Sequence, residues 1–291
     1  MSSPSTNRVQ LTIPKLIEKV QAGEKLAMLT AYDAVHARLA DAAGVDMILV
    51  GDSVGNVCLG FDNTLPVSMA MMNHHLEAVA RTRPKAFLVV DLPYLSYHLG
   101  LEDSIRNAGG FLQRGAQAVK LEGGANRVQV VKALVDAEIP VMGHLGLTPQ
   151  SVHAMGGYAV QGRAGHEAIR VVEDALRLQD AGCFMIVLEG IPADLGARVT
   201  QELEIPTIGI GAGPGCDGQV LVFHDLLGLL PGKPAKFVRK YMSGYEDSVS
   251  AIARWAEDVR GGVFPDARES YILPEPARKL LNEWHAGEGR N

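Results

Sequence analysis

Short stretches of unbroken apolar residues recur along the chain and run into acids. Met47-Ile48-Leu49-Val50 leads into Gly51-Asp52-Ser53, and Val89-Val90 into Asp91-Leu92-Pro93. Val119-Lys120-Leu121-Glu122-Gly123 and Ile186-Val187-Leu188-Glu189-Gly190 repeat the pattern. A strand that is apolar on both faces has to be covered on both faces, which is the situation of a parallel sheet between helices. A buried acid at its end is costly unless something positive sits on it. The pattern therefore implies a scaffold that points several acids into one pocket.

Taken in order, the apolar runs predict strands over 25–30, 46–51, 86–91, 117–122, 140–144, 184–189, 206–210 and 219–223. Helical spacing predicts helices over 33–43, 66–83, 101–114, 126–137, 166–181, 193–203 and much of 236–259. In the first of these, Val35, Leu39 and Ala42 form the apolar face; in the second, Pro66 suits the opening turn. No helix is expected between the seventh and eighth strands. An amphipathic helix over 12–20, with Thr12 as N-cap and Gly23 as its stop, precedes the first strand and would cover a barrel bottom. Repeated about eight times, strand–helix alternation closes most naturally into an α/β (β/α)8 TIM barrel. The alternative is an open doubly wound sheet. A dinucleotide site is not supported, because Gly209–Gly215 lacks the GxGxxG spacing.

Residues 1–264 are read as a single catalytic barrel domain with an N-terminal arm, and 265–291 as a tail. Pro274-Glu275-Pro276 interrupts the tail, a short helix over 277–284 follows, and the last residues are expected to fray. The long connection 145–165 contains Met155-Gly156-Gly157-Tyr158. The net charge of -6, with no Lys/Arg block, argues against a nucleic-acid partner. Three dispersed cysteines argue against a disulfide framework or a thiolate zinc site; Cys183 reads as core, Cys58 and Cys216 as loop thiols. The first residues show no signal peptide, and the apolar runs are too short to span a membrane, so a cytoplasmic protein is expected.

In such a barrel the C-terminal strand ends face the active site. They gather Asp52, Ser53, Asp91, Lys120, Glu122, His144 and Glu189. Lys120 and Glu122 share parity and point the same way, whereas Val119 and Leu121 point to the helices. Three converging carboxylates with one lysine repel one another, and a hard divalent cation such as Mg²⁺ resolves that. A helix cap or a salt bridge is the plainer reading of any one of these acids. Lys120 reads either as a structural partner of Glu122 or Asp91, as a cation for a substrate carboxylate or oxyanion, or as a Schiff-base amine. His144 reads either as a hydrogen-bonded residue under the loop or as a substrate contact. Glu189, set apart from the other acids and partly desolvated, suits a general base; a salt bridge to Arg198 or Lys120 is its alternative. A metal, a cation and a separate base suit an α-keto acid that chelates Mg²⁺ and loses the neighbouring proton to give a metal-stabilised enolate.

Several motifs carry a family resemblance. They are Met28-Leu29-Thr30-Ala31-Tyr32-Asp33, Val50-Gly51-Asp52-Ser53-Val54-Gly55, Asp91-Leu92-Pro93-Tyr94 and Val119-Lys120-Leu121-Glu122-Gly123-Gly124. Gly143-His144-Leu145-Gly146-Leu147-Thr148-Pro149-Gln150-Ser151, Ile208-Gly209-Ile210-Gly211-Ala212-Gly213 and Cys216-Asp217-Gly218-Gln219 continue the series. In order and nearly gapless from about residue 8 to 264, they resemble the ketopantoate hydroxymethyltransferase family. The resemblance implies a barrel related to phosphoenolpyruvate-using and isocitrate-lyase-type enzymes. It implies transfer of a hydroxymethyl group from 5,10-methylene-tetrahydrofolate to 3-methyl-2-oxobutanoate, giving 2-dehydropantoate on the route to pantothenate and coenzyme A. It further implies Mg²⁺ on Asp52, Asp91 and Glu122, the keto acid on Asp52, Ser53, Asp91 and Lys120 with His144 beside them, Glu189 as proton acceptor, and a homodecamer of two stacked pentameric rings. Gly190-Ile191-Pro192 departs from the pair many members carry before the proline, and nothing in the resemblance covers the tail beyond Phe264. The folate site is expected near Met155-Gly156-Gly157-Tyr158, as a lid. The rivals are a C–C or P–C bond lyase on the same barrel, which lacks a cysteine placed as its acid here, and a non-catalytic keto-acid-binding barrel.

Overall fold

The structure, a computed structural model, describes residues 9–284. They fall into two compact units that part between Met242 and Ser243. This boundary is one of packing, whereas the one at 264/265 suggested by the sequence is one of composition.

The first unit is a closed barrel of eight parallel strands in sequential order. They are β1 (Leu26–Thr30), β2 (Met47–Val50), β3 (Phe87–Asp91), β4 (Ala118–Glu122), β5 (Val141–Gly146), β6 (Met185–Glu189), β7 (Thr207–Ile210) and β8 (Gly218–Leu221), and β8 pairs back onto β1. Alternation along each strand divides the buried residues into two cores. Ile48, Val50, Leu88, Val90, Val119 and Leu121 point outward into the core shared with the helices. Met28, Met47, Leu49, Phe87, Val89, Ala118, Met142, Met185, Val187 and Val220 point inward and fill the barrel.

Helix Ile13–Gln21 sets fully buried Leu16 into that interior cluster, so it plugs the bottom as expected. Thr12 stands at its N-cap without a side-chain cap bond, and Gly23 follows with a left-handed φ of 81°.

Helix Ala34–Ala43 corrects one expectation. Its buried residues are Ala37 and Ala40, while Val35 and Leu39 are 61% and 53% exposed. The helix lies against the barrel through its small residues, which permit a close approach, and turns its larger apolar stripe outward. Pro66 lies ahead of helix Met69–Ala80, whose N-cap is Ser68; the Ser68 hydroxyl accepts from Met71 N–H at 3.3 Å. Between β7 and β8, where the sequence placed no helix, the chain connects the two strands directly. Cys58 is exposed and Cys183 buried; Cys216 is in a loop but buried as well.

Residues 236–243 are not helical. They carry Phe237, whose ring packs against Gly211; Gly211 has a φ of 65°, and a Cβ there would come within 2.8 Å of the ring. The second unit contains helices Gly244–Arg260 and Glu275–Glu283. No helix among the described residues is long and apolar enough to cross a membrane.

Candidate active site

Strand ends supply the charged residues. β3 ends on Asp91, β4 carries Lys120 and ends on Glu122, β5 carries His144, and β6 ends on Glu189. All keep the inward parity of the apolar residues beneath them, so they form the top layer of the barrel interior. The register sets Asp91 beside Lys120, Glu122 beside His144, and Gly146 beside Glu189. Gly146 has a φ of 91°, and a Cβ there would lie 2.2 Å from the Glu189 carbonyl oxygen. Only glycine allows β5 and β6 to meet that closely. Asp52 and Ser53 lie just past β2, on the turn leading into the short helix Val54–Val57.

The carboxylates are held one oxygen at a time. Asp91 Oδ2 accepts from the Asp52 N–H at 3.1 Å. Asp52 Oδ2 accepts from Gln150 Nε2 at 2.8 Å, and Glu122 Oε2 from the Gln150 N–H at 2.9 Å. Lys120 Nζ pairs with Asp91 Oδ1 at 2.9 Å. Of the two structural partners considered for Lys120, then, Asp91 is the direct one. Ser53 Oγ is 2.8 Å from Tyr32 OH. Glu189 pairs with neither Lys120 nor Arg198: its Oε2 is 3.2 Å from His144 Nε2, and Arg198 pairs with Glu202. The His144 contact is off the line of a hydrogen bond.

Electrostatics divides these groups. Burial raises Asp52 well above the usual carboxylate range, and the charges of Asp91 and Glu122 add to it against Lys120 and Gln150. Burial also raises Asp91, although Lys120 and the Asp52 N–H pull it back. Burial pushes Glu122 up too, but His144, Lys120 and the Gln150 N–H overcome it and hold its carboxyl below the ordinary value. For Lys120, burial opposes the charge, and Asp91, Glu122 and Asp52 more than restore it, so its pKa is raised.

His144 receives conflicting demands. Burial and Lys120 disfavour its cation, while Glu122 and Glu189 win and raise it to about 9. Yet Nδ1 is 3.1 Å from Lys120 Nζ, a contact that needs a bare Nδ1, and 3.5 Å from Glu122 Oε1. Protonation of both ring nitrogens would set two cations side by side at that contact.

These residues line a cavity of about 440 Å³. Leu49, Val187, Ile210, Val220 and Phe237 belong to its apolar lining, Asp225 lines it as well, and Tyr158 reaches it from the long β5–β6 connection. Among the described residues, no three His, Cys, Asp or Glu side chains are grouped closely enough to hold a metal ion by themselves. Mg²⁺ ordinarily takes one or two carboxylates and completes its shell with water and substrate oxygens. The donor set fits such a cation: three buried carboxylates, Asp52, Asp91 and Glu122, face one lysine.

Every site residue read from the sequence lies on this cavity. Gln150 and Tyr97, which organise it, were missed, as were Tyr32 behind Ser53 and the apolar lining. The signal for Gln150 was Thr148-Pro149, a helix-start dipeptide inside the supposed loop. The structure places a 3-10 turn at Pro149–Ser151 and a helical turn at Val152–Met155 there.

Comparison with known proteins adds the following. Residues 10–267 match the family model described as ketopantoate hydroxymethyltransferase. The chain is 69% identical over 271 residues to the 3-methyl-2-oxobutanoate hydroxymethyltransferase of Methylobacterium sp. (strain 4-46), covering 93% of this chain and 94% of that one. It is 65% identical over 275 residues to 3-methyl-2-oxobutanoate hydroxymethyltransferase 2 of Bradyrhizobium diazoefficiens, covering 94% of each. Among solved structures, phosphoenolpyruvate phosphomutase from Streptomyces platensis subsp. rosaceus is similar with a TM-score of 0.60 at 14% identity, covering 94% of this chain and 96% of that one. A 2,3-dimethylmalate lyase of the PEP mutase/isocitrate lyase superfamily is similar with a TM-score of 0.57 at 16% identity, covering 93% and 95%. At such identities the likeness is one of fold.

Proposed function

The chain belongs to the ketopantoate hydroxymethyltransferase family, and from that premise we propose that it joins the one-carbon unit of 5,10-methylene-tetrahydrofolate, with a water molecule supplying its hydroxyl, to the branched carbon of 3-methyl-2-oxobutanoate, giving 2-dehydropantoate and releasing tetrahydrofolate. The observation that carries this reading is a cavity lined both by buried charged side chains and by apolar ones. The keto acid carries the same two kinds of group, a carboxylate with its ketone and a branched methyl tail.

In this reading the Lys120 ammonium and the Ser53 hydroxyl bind the carboxylate end, and Tyr32 orients Ser53 through their 2.8 Å contact. Leu49, Val187 and Ile210 receive the methyl groups and exclude water. Glu189, on β6, accepts the proton from the branched carbon at a carboxylate oxygen. His144 stands beside Glu189 and restrains it by charge. Asp52, Asp91 and Glu122 would hold Mg²⁺, which supplies Lewis acidity toward the keto oxygen and so makes the neighbouring C–H more acidic. The Tyr158 segment covers the cavity on the folate side as a lid. A homodecamer and a cytoplasmic location complete the proposal.

The test is an assay of the purified chain with the keto acid, methylene-tetrahydrofolate and Mg²⁺, followed by mass spectrometry for 2-dehydropantoate, and repeated after chelation. Product that forms only with the metal supports the reading. Cleavage of a C–C or P–C bond in place of addition would support the lyase, although none of Cys58, Cys183 and Cys216 lines the cavity to serve as its acid. Tight keto-acid binding without turnover would support a binding barrel.

A further inference from the structure

Gln150 carries no charge, yet two of the three carboxylates are fastened to it. Its Nε2 donates to Asp52 Oδ2 at 2.8 Å and to the Leu92 carbonyl at 3.0 Å. Its backbone N–H donates to Glu122 Oε2 at 2.9 Å. Its Oε1 accepts from Tyr97 OH at 2.6 Å, and that hydroxyl accepts in turn from the Glu122 N–H at 3.2 Å. Gln150 is 6% exposed and Tyr97 1%.

The chemistry fixes which way the amide points. Turned over, Oε1 would face the Asp52 carboxylate and the Leu92 carbonyl, oxygen against oxygen, and Nε2 would meet a hydroxyl already donating toward it. Tyr97 therefore does more than fill space: although its hydroxyl hydrogen can also reach the Glu122 carbonyl at 3.4 Å, by donating to Oε1 at 2.6 Å it reinforces the amide orientation that the Asp52 and Leu92 oxygens require. With one oxygen of Asp52 and one of Glu122 each held by a donor from Gln150, the rotation of both carboxylates is restrained. Partners of this kind, which orient ligands without touching the metal, affect affinity in other proteins by about 10- to 100-fold.

We propose that Gln150, braced by Tyr97, is a positioning residue that sets the Asp52 and Glu122 carboxylates to hold a hard divalent cation. The proposal rests on the cation reading of the carboxylate set given above. Gln150 sits on the turn Pro149–Ser151, which continues through Val152–Met155 toward Tyr158 at the cavity.

The test is calorimetric titration of the metal-free full chain with Mn²⁺, without keto acid, for wild type, Gln150→Met, Tyr97→Phe and the double variant. Thermal unfolding of each metal-free protein reports the fold. Gln150→Met should weaken Mn²⁺ binding by about 10- to 100-fold. Tyr97→Phe should weaken it less, and the double variant should stay within about threefold of Gln150→Met, because Tyr97 acts through Gln150. Each metal-free variant should still unfold in one cooperative transition, with Gln150→Met melting lower than wild type because Asp52 Oδ2 loses its donor. Wild-type Mn²⁺ affinity in Gln150→Met overturns the proposal, and so do single losses that multiply in the double variant. Should Gln150→Met fail to fold, Tyr97→Phe decides alone, and wild-type affinity there overturns it. A wild-type chain that binds no Mn²⁺ sinks the cation reading and this proposal together, an outcome distinct from unaltered binding in the variants.

Discussion

At the bottom of the barrel Leu16, Leu26, Met47, Phe87, Met142 and Met185 meet in an apolar plug. At the top of the same strands Asp91, Lys120, Glu122, His144 and Glu189 meet in a cluster of charge. Both ends use the inward-facing positions that strand alternation provides. They differ in what makes them tolerable. The plug needs only to be filled, because apolar atoms ask nothing of their neighbours except contact. The cluster has to be interlocked, because each buried charge left alone costs several kcal/mol. Hence the top carries the Lys120–Asp91 pair, the His144 contacts and the Gln150 braces, and the bottom has no equivalent of them within its apolar cluster.

Exchanging the two kinds of end is the harshest test of this contrast. Met185→Asp places a carboxylate in the plug with no cation to meet it, at a cost comparable to the whole stability of a domain. The expected result is loss of the cooperative thermal transition. A folded protein melting within a few degrees of wild type would break the comparison. Removing charge at the top has the reverse profile. Glu189→Gln should lower turnover and proton exchange at the branched carbon by roughly 10²- to 10⁴-fold, with the melting temperature nearly unchanged. Retained exchange in deuterated water would remove Glu189 as the proton acceptor.

Leu16→Ala sharpens the other side. It should cost about 2–5 kcal/mol in denaturant unfolding, because the plug loses volume that Ile13–Gln21 cannot recover by moving, while kcat of the folded fraction stays the same. A matching fall in kcat would mean that the two ends are coupled. The smallest effect belongs to Lys19→Ala. The Lys19 ammonium is 3.3 Å from Asp46 Oδ1 at the outer margin of the plug and is partly exposed, so its loss should change unfolding by less than about 1 kcal/mol. A larger loss would show that the bottom, too, depends on its charges.

Much of this was legible in the sequence because parallel strands covered on both faces are apolar throughout. Lys120 and Glu122 then stand out as charges of one parity against Val119 and Leu121, and the top layer can be read from the order of residues in the strands. Gln150 and Tyr97 could not be found that way: they are uncharged, lie outside the strands, and matter only through what they touch. Val35 and Leu39 misled for a different reason. Apolar spacing identifies a helix with two unlike faces, but it does not say that the close-packed face is the one made of alanines. Residues 236–243 read as helix because their composition permits one, and the placing of Phe237 against Gly211 is a tertiary demand that no local pattern records.

The alternation within β4 has a consequence for how such a chain can change over generations. Substitutions in the strand alter one side chain each. The loss or gain of a single codon ahead of Val119, by contrast, acts on the strand as a frameshift acts on a gene. Every later residue would change faces, Val119 and Leu121 would enter the cavity, and Lys120 and Glu122 would be pushed among the helices. Spelling within the strand can drift while its length cannot, and insertions belong in the connections between strands, where the count of residues carries no such message.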